Sequence, residues 1–207
     1  MKRAARKPRP AARDKTRTHE RILASASKLF RTKGVAQTSV ADVMEGADLT
    51  VGGFYAHFES KDALVEATLR RSMEDLRPIL LRELDRASEW RRLEVVLQRY
   101  LSRDHRDNPA GGCAMPAMVA ELSATGDAGR GVLAEEFEQN VRLIAGSTSP
   151  EARARMLGLL ALMVGGVALS RALKGTPLSD ELLKACRDTG RAAMRGTGLR
   201  PDGDWTG

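Results

Sequence analysis

Residues 39–58 read SVADVMEGADLTVGGFYAHF, a segment in which two short helices flank a tight turn. Ser39 and Asp42 predict a capping box at the start of the first helix, with aspartate in the position that glutamate usually takes. The turn falls at residues 46–49, and Thr50 is placed to cap the second helix. Two helices joined in this way are typical of a helix-turn-helix motif, whose second helix enters the major groove of DNA.

Aromatic residues are concentrated in the second of these helices. Three of the eight in the chain, Phe54, Tyr55 and Phe58, lie within five positions. A helix this short is not stable from its own backbone hydrogen bonds, so we expect Phe54 and Phe58 to anchor it in the core. The opposite side would stay free, and Gly52 and Gly53 would permit close approach to a phosphate backbone. Each glycine weakens the helix by roughly 1 kcal/mol relative to alanine.

The sequence around this segment predicts helices and no β-strand. Residues 18–33 place Ile22, Ala26 and Phe30 on one stripe, and Gly34 is a good left-handed C-cap. Further helical segments lie at residues 61–78, 89–103, 149–173 and 179–196. No run alternates apolar and polar residues over the length of a strand. The predicted fold is all-α, with an N-terminal three-helix domain followed by a larger helical domain.

Positive charge is concentrated at the N-terminus. Residues 1–17 contain eight basic residues and one acidic residue, whereas the other 190 residues carry 26 of each sign. A basic, proline-containing arm ahead of a neutral body releases counterions from a polyanion, and nucleic acid is the commonest such partner. The alternative is a solvated tail that aids solubility.

Cysteine usage and hydropathy predict a cytoplasmic protein. Two cysteines and three scattered histidines give no disulfide framework and no zinc spacing. The basic N-terminus lacks the apolar stretch of a signal peptide. The longest uncharged apolar run, residues 156–169, is 14 residues long. It would span about 21 Å as a helix, against a bilayer core of about 30 Å, so we expect no membrane insertion.

Residues 18–64 closely resemble the DNA-binding domain of TetR-family (tetracycline-repressor-type) transcriptional regulators. The matching elements are the IL-x-x-A-x-x-LF pattern of residues 22–30, the Gly34 break, the Thr38-Ser39-Val40 start, GFYAHF at 53–58 and SKDAL at 60–64. Beyond residue 64 the resemblance is one of architecture only. It implies a disordered basic arm (1–17), a helix-turn-helix DNA-binding domain (18–62), a helical effector-binding and dimerisation domain (63–196) and a flexible tail (197–207).

The resemblance implies a sequence-specific transcriptional regulator, a repressor released from its operator by a small-molecule effector bound in the C-terminal domain. One alternative is a non-specific or architectural DNA-binding protein, for which a basic arm would suffice. Another is a redox- or electrophile-sensing regulator acting through Cys113, whose pKa a helix dipole could lower. No nucleophile, base and orienting group form a recognisable set, so we expect no enzyme, and neither a cofactor nor a metal.

Position and resemblance together assign the DNA contacts. Thr50, Val51, Gly52 and Gly53 would face the groove, and Val51 could contact a thymine methyl group. Residues expected to position the DNA backbone are Arg17, Thr38, Ser39, Tyr55, His57 and Lys61. Thr38 and Ser39 have a second interpretation as helix caps, and His57 as a packing residue. The chain departs from the family at Asp48, where glycine is frequent, and at Val51, where lysine is frequent.

Two further sites are implied in the C-terminal domain. Residues expected to line an effector pocket are Met73, Leu76, Trp90, Leu97, Tyr100, Met115, Met118 and Phe137, for which plain core packing is the alternative. A stripe of small residues on the helix after Ser149 predicts a homodimer interface, formed by Gly158, Ala161, Gly165, Ala168 and Ala172. The alternative is a buried central helix of a monomer. A dimer would recognise a pseudo-palindromic operator.

Overall fold

The computed structural model of the chain describes residues 10–122, 126–145 and 149–195. Across these residues the chain forms nine α-helices and one 3₁₀ helix, Val51–Ala56, with no strand. The α-helices are α1 (Pro10–Lys33), α2 (Val40–Gly46), α3 (Lys61–Leu81), α4 (Glu89–Tyr100), α5 (Arg103–Asp107), α6 (Met115–Leu122), α7 (Gly126–Ala145), α8 (Pro150–Ala172) and α9 (Pro177–Arg195). The prediction of an all-α fold is confirmed.

Helix α1 begins at Pro10, eight residues before its predicted start. Proline is favoured at the first helical position, and the Ala, Arg and Lys residues that follow have high helix propensity. Residues 10–17 of the predicted arm are helical in this structure, while residues 1–9 and the predicted tail at 197–207 lie outside the described residues. The division of the chain into domains at residues 62 and 63 stays a prediction.

The N-terminal helices pack around a small apolar core. Ile22 and Phe30 of α1, Met44 of α2 and Phe54 of the 3₁₀ helix are all fully or almost fully buried. Gly34 ends α1 with a φ of 88°, which confirms the predicted left-handed cap. These contacts hold the 3₁₀ helix onto α1 and α2 from one side only.

Helix α3 extends from the N-terminal core into the larger helical part. Leu64 and Leu69 in its first half are fully buried, and Met73 and Leu76 in its second half lie against α7. The sequence predicts a bend or restart at Pro78, but the helix continues past it to Leu81. One helix thus carries residues of both cores.

Helix α8 is long and apolar enough to cross a bilayer by length and composition alone, since an 18-residue window in it has a mean hydropathy of 1.6. This corrects the expectation from the uncharged run at 156–169, which left out the ends of the helix. In the fold, however, α8 packs against α6, α7 and α9, and Met156, Met163 and Val167 are buried. We interpret α8 as the core helix of the larger domain.

Candidate functional site

The start of α2 has the capping box that the sequence predicts. The Ser39 hydroxyl oxygen accepts a hydrogen bond from the Asp42 N–H at 3.0 Å, and the Asp42 carboxylate accepts one from the Ser39 N–H at 2.7 Å. These bonds satisfy two backbone donors at the helix N-terminus. Ser39 remains exposed at this end of α2.

The end of α2 approaches α1 too closely for a side chain. A Cβ atom added at Gly46 would lie 2.5 Å from the Ser25 Oγ atom. The Ser25 hydroxyl donates a hydrogen bond to the Val43 carbonyl at 2.8 Å, which holds the two helices at this distance. Glycine at position 46 therefore sets the position of the turn.

Asp48 occupies the turn in a left-handed conformation, with a φ of 50°. Aspartate tolerates this region better than most residues, which explains how the chain dispenses with the glycine that is frequent here in the family. Arg21 of α1 donates to the carbonyl oxygen of Ala47, and its guanidinium lies 3.6 Å from the Asp48 carboxylate. The sequence does not identify Arg21 as the partner of Asp48, because the two residues lie 27 positions apart.

Residues 50–55, which we call the recognition segment, present their N-terminal side to solvent. Thr50, Val51 and Gly52 are exposed, with Val51 at 49%, and Gly53 is half-buried against Met44. The segment is a 3₁₀ helix, and Thr50 makes no side-chain cap hydrogen bond, so its predicted capping role is wrong. Its hydroxyl is therefore available to a partner, as are the open faces of the two glycines.

Aromatic side chains fix the recognition segment as predicted. Phe54 is fully buried and Phe58 is 6% exposed, and their ring centroids lie 5.8 Å apart. Tyr55 points the other way and is 72% exposed. The burial of two rings compensates for a segment too short and too glycine-rich to form a helix unaided.

Two predicted backbone-positioning residues have their polar groups engaged within the protein. Thr38 is fully buried; its hydroxyl donates to the Gly34 carbonyl at 2.7 Å and its N–H donates to the Val35 carbonyl. Its assignment as a DNA contact is wrong, because a buried hydroxyl bonded to the preceding turn cannot reach a phosphate. Lys61 donates one hydrogen bond to the Val35 carbonyl at 2.7 Å and keeps two further N–H groups.

The remaining two are Arg17 on α1 and His57 after the recognition segment. Arg17 is exposed on α1, 3.7 Å from the Asp14 carboxylate. His57 follows the 3₁₀ helix, and its Nδ1 atom is buried with no hydrogen-bond partner in the described part of the chain. Burial lowers the pKa of His57, and neighbouring His19 and Lys15 lower it further. His57 is therefore neutral at pH 7 in the absence of an anionic partner.

A cavity of about 30 Å³ lies between α3, α7 and α8, closed by the end of α4 and the residues before α6. Five predicted pocket residues line it: Met73, Leu76, Tyr100, Met115 and Phe137. Trp90, Leu97 and Met118 do not. Trp90 instead lies under the Arg195 guanidinium at 6.0 Å, and Met118 is fully buried in α6.

Leu97 packs against α9 rather than the cavity, since a Cβ atom added at Gly190 would lie 2.9 Å from its Cδ1 atom. Sequence reasoning also missed lining residues, chiefly Arg77, Cys113, Asn140, Leu160 and Met163. For Arg77 the available signal was its position one turn after Met73 on α3. The α8 residues Leu160 and Met163 were not predicted because the apolar pattern of α8 does not show which side of the helix faces the cavity.

His105 links two residues of the cavity wall. Its Nε2 atom accepts a hydrogen bond from the Cys113 N–H at 2.8 Å, so its Nδ1 atom carries the proton and donates it to the Tyr100 carbonyl at 2.7 Å. Burial lowers the pKa of His105 to about 4. The ring is therefore neutral at pH 7 and joins α4 to the chain entering α6.

Cys113 is 2% exposed, and burial raises the pKa of its thiol. The expectation that a helix dipole lowers this pKa is wrong, because α6 begins two residues later, at Met115, and desolvation dominates. A thiol in this state is a poor nucleophile. The structure therefore favours the packing role of Cys113 over a sensor role.

The predicted small-residue stripe lies on the uncovered side of α8. Gly158, Ala161 and Ala172 are exposed, Gly165 and Ala168 are half-buried, and a Cβ atom at either glycine would meet nothing within 4 Å. The close approach within the chain occurs at Gly166 instead, where a Cβ atom would lie 2.9 Å from the Cys186 sulfur.

Helix α9 carries a series with spacings of four, three, four and three residues, all exposed except the half-buried Leu182: Leu178, Leu182, Ala185, Thr189 and Ala192. Leu178 is 52% exposed, and Leu169 of α8 is 57% exposed. We call this surface, formed by the five small residues of α8, Leu169 and the five α9 residues, the α8–α9 face. It is apolar and uncovered by the described residues of this chain.

The geometry of residues 39–58 defines a class of protein. A capped helix, a turn closed by a left-handed residue, and an exposed second helix anchored by aromatic rings form a helix-turn-helix, which here packs against α1. A larger helical domain with a cavity follows it. This is the architecture of a helix-turn-helix protein whose second, larger domain contains a cavity.

A family model matches the N-terminal part of the chain. Residues 22–68 match the sequence model of bacterial regulatory proteins of the tetR family. Residues 22–68 therefore carry the N-terminal domain of tetR-family regulators, a helix-turn-helix DNA-binding domain, as the resemblance in the sequence indicated.

Individual relatives agree with this assignment. The chain is 29% identical over 130 residues to the HTH-type transcriptional repressor DhaR of Mycobacterium sp. (strain GP1), a match covering 62% of this chain and 64% of that protein. It is 42% identical over 52 residues to the HTH-type transcriptional regulator TtgR of Pseudomonas putida, covering 25% of each. These matches span less than two thirds of either relative.

Solved structures match over a greater length. A TetR transcriptional regulator from Chloroflexus aurantiacus J-10-FL is 25% identical, with a TM-score of 0.72, and the match covers 88% of this chain and 96% of that one. A TetR-family regulator from Cytophaga hutchinsonii is 24% identical, with the same TM-score and the same coverage. The whole described chain thus has the fold of TetR-family regulators.

Proposed function

We propose that the protein is a sequence-specific transcriptional repressor of the TetR family, released from its operator when a small molecule occupies the cavity. The observation that carries the proposal is the exposure of Thr50, Val51 and Gly52 on a segment anchored from behind by Phe54 and Phe58. Two similar proteins are named as repressors, DhaR and KstR2 of Rhodococcus jostii. Such a protein acts in the cytoplasm.

In this proposal the recognition segment lies in the major groove. Thr50 and the two glycines approach the base edges, and Val51 contacts a thymine methyl group. Ser39 at the start of α2 and Tyr55 at the end of the recognition segment are exposed, so their hydroxyls are suited to phosphate contacts.

The basic N-terminus supplies most of the electrostatic attraction. Residues 18–62 contain five basic and six acidic residues, so the folded domain is nearly neutral, whereas Lys15 and Arg17 lie on α1 at the end of the basic stretch. Removing residues 1–15 should flatten the dependence of log affinity on log salt concentration, because fewer counterions are released. An unchanged slope would exclude this segment from binding.

Dimerisation through the α8–α9 face would bring two DNA-binding domains together. An apolar surface of small residues permits close helix packing, and two α8–α9 pairs would form a four-helix interface. The partner DNA is then a pseudo-palindrome with half-sites about 34–36 Å apart. A protein that sediments as a monomer at micromolar concentration would refute this arrangement.

Specificity is tested by a gel-shift assay with DNA from upstream of the gene. A specific regulator should prefer this DNA over random competitor by at least about 10³. Val51→Ala should reduce the preference, whereas Ile79→Ala, which removes an equally exposed apolar side chain from α3, should not. Equal competition by random DNA would favour the alternative of a non-specific DNA-binding protein.

A further inference from the structure

One polar group in the cavity wall lacks a regular hydrogen bond. Tyr100 lines the cavity and is 4% exposed, and its hydroxyl is buried with no hydrogen-bond partner among the described residues. The Cys113 thiol lies beside it, but a thiol is a weak hydrogen-bonding group. Burial raises the pKa of Tyr100, so the hydroxyl keeps its proton and can donate it. A buried hydroxyl whose neighbour is only a thiol would gain a stronger hydrogen bond from an oxygen acceptor on a ligand.

The charged groups of the wall already have partners. Arg77 forms an ion pair with Glu136, and both side chains are largely buried. The Arg77 Nε atom also donates to the Asn140 side-chain oxygen at 3.0 Å. A charged ligand would have to break this pair or be buried without a counterion, and both are unfavourable. The wall therefore discriminates against charge.

The rest of the lining is apolar and adaptable. The cavity of about 30 Å³ has room for about two water molecules, so a larger molecule requires side chains to move. Met73, Met115 and Met163 line it, and unbranched methionine side chains rearrange readily. Leu143 also lines the cavity and is 42% exposed, which marks the side that faces solvent.

We propose that this cavity binds a small, uncharged, mainly apolar molecule with one oxygen acceptor, such as a ketone, and that the Tyr100 hydroxyl donates a hydrogen bond to that oxygen. The inference rests on the proposed role of the cavity as the effector site.

The test is calorimetric titration of the full chain with three probes of similar size: acetophenone, ethylbenzene and benzoate. Acetophenone should bind about tenfold more tightly than ethylbenzene, since only the ketone pairs with the buried hydroxyl. Benzoate should bind most weakly. Tyr100→Phe should bring acetophenone to the level of ethylbenzene and leave ethylbenzene unchanged. This variant loses only an unpaired hydroxyl, so it should fold, and Tyr55→Phe on the recognition segment is the matched control.

Equal affinity for the ketone and the hydrocarbon, discrimination that survives in Tyr100→Phe, a preference for benzoate, or no binding of any probe would each overturn this proposal. The gel-shift assay without probe tests the regulator itself. A protein that binds its operator specifically but fails the titrations refutes only the ligand class. Loss of specific DNA binding refutes the proposed function whatever the titrations show.

Discussion

At position 48 we expect glycine to make the protein more stable than alanine does, the reverse of the usual order. Helix and strand interiors favour alanine over glycine, but Asp48 has a φ of 50° in a turn, where an L-residue without a polar side chain is strained. We expect Asp48→Gly to be more stable than Asp48→Ala by about 1–2 kcal/mol, the cost of placing alanine in the left-handed region.

Compared with the natural chain, Asp48→Gly should change the free energy of unfolding by a smaller amount. Asp48→Gly relieves about 1 kcal/mol of backbone strain. It also loses the exposed pair with Arg21, which contributes less than about 1 kcal/mol at a separation of 3.6 Å. The net effect should be a stabilisation of roughly 0.5 kcal/mol. Asp48→Asn keeps the tolerance of a left-handed backbone and removes only the charge, so it isolates the contribution of the pair.

Urea unfolding monitored by far-ultraviolet circular dichroism measures these differences. All variants are measured at one protein concentration, so that any dissociation of a dimer contributes equally. The midpoint should rise in the order Ala, Asp, Gly. If Asp48→Ala is as stable as Asp48→Gly, the residue does not adopt a left-handed conformation in solution. The account of how aspartate replaces glycine in this turn would then fail.

Three further changes test other parts of the structure. Ser39→Ala should lower the free energy of unfolding by about 1 kcal/mol through loss of the capping box, while Ser39→Thr should change it little; equal effects would contradict the capping role. Because the pKa of His105 is lowered to about 4, the unfolded chain binds a proton that the native chain does not, so stability should fall as pH falls from about 6.5 to 4. His105→Gln should flatten this dependence in urea titrations at several pH values, and an unchanged slope would contradict it. Gly158→Ala and Gly165→Ala should weaken dimerisation at least about tenfold, as measured by sedimentation, although alanine favours the helix. The control is Gly131→Ala on α7, where a Cβ atom also meets nothing within 4 Å. Unaltered dimerisation in the α8 variants would exclude that face.

Local features of the N-terminal domain could be predicted because their causes lie within a few residues. The capping box at Ser39 and the left-handed Gly34 follow from side chains and backbone preferences at fixed spacings. The start of α1 was missed because its basic residues were interpreted as an arm rather than as good helix formers. The burial of Thr38 was missed because its hydroxyl bonds to Gly34, four residues back, and the pattern does not distinguish this from an exposed cap.

The cavity could be predicted only in part, because periodicity identifies an apolar face without identifying the helix that covers it. Met73 and Leu76 line the cavity because α3 presents them to the larger core. Leu97 and Trp90 have the same pattern but face α9 and its end. The polar members Arg77 and Asn140 were missed because their burial depends on pairing across 63 residues, from α3 to α7.

Hydrogen bonds of Arg31 connect the surroundings of the cavity to the DNA-binding domain. Arg31, in the last turn of α1, donates to the Ser72 hydroxyl at 2.7 Å and to the Ala110 carbonyl. Ser72 precedes Met73 in the cavity wall, and Ala110 lies three residues before Cys113, also in the wall. A ligand larger than the present cavity must move one of these walls, and in a close-packed interior the displacement is passed to neighbouring groups. Because one guanidinium bonds to residues next to both walls, we expect such a displacement to shift α1, on which the recognition segment packs. Regulation through this contact requires two discrete arrangements of α1 relative to α3, and the methionine-lined cavity supplies the place where a ligand would favour one over the other.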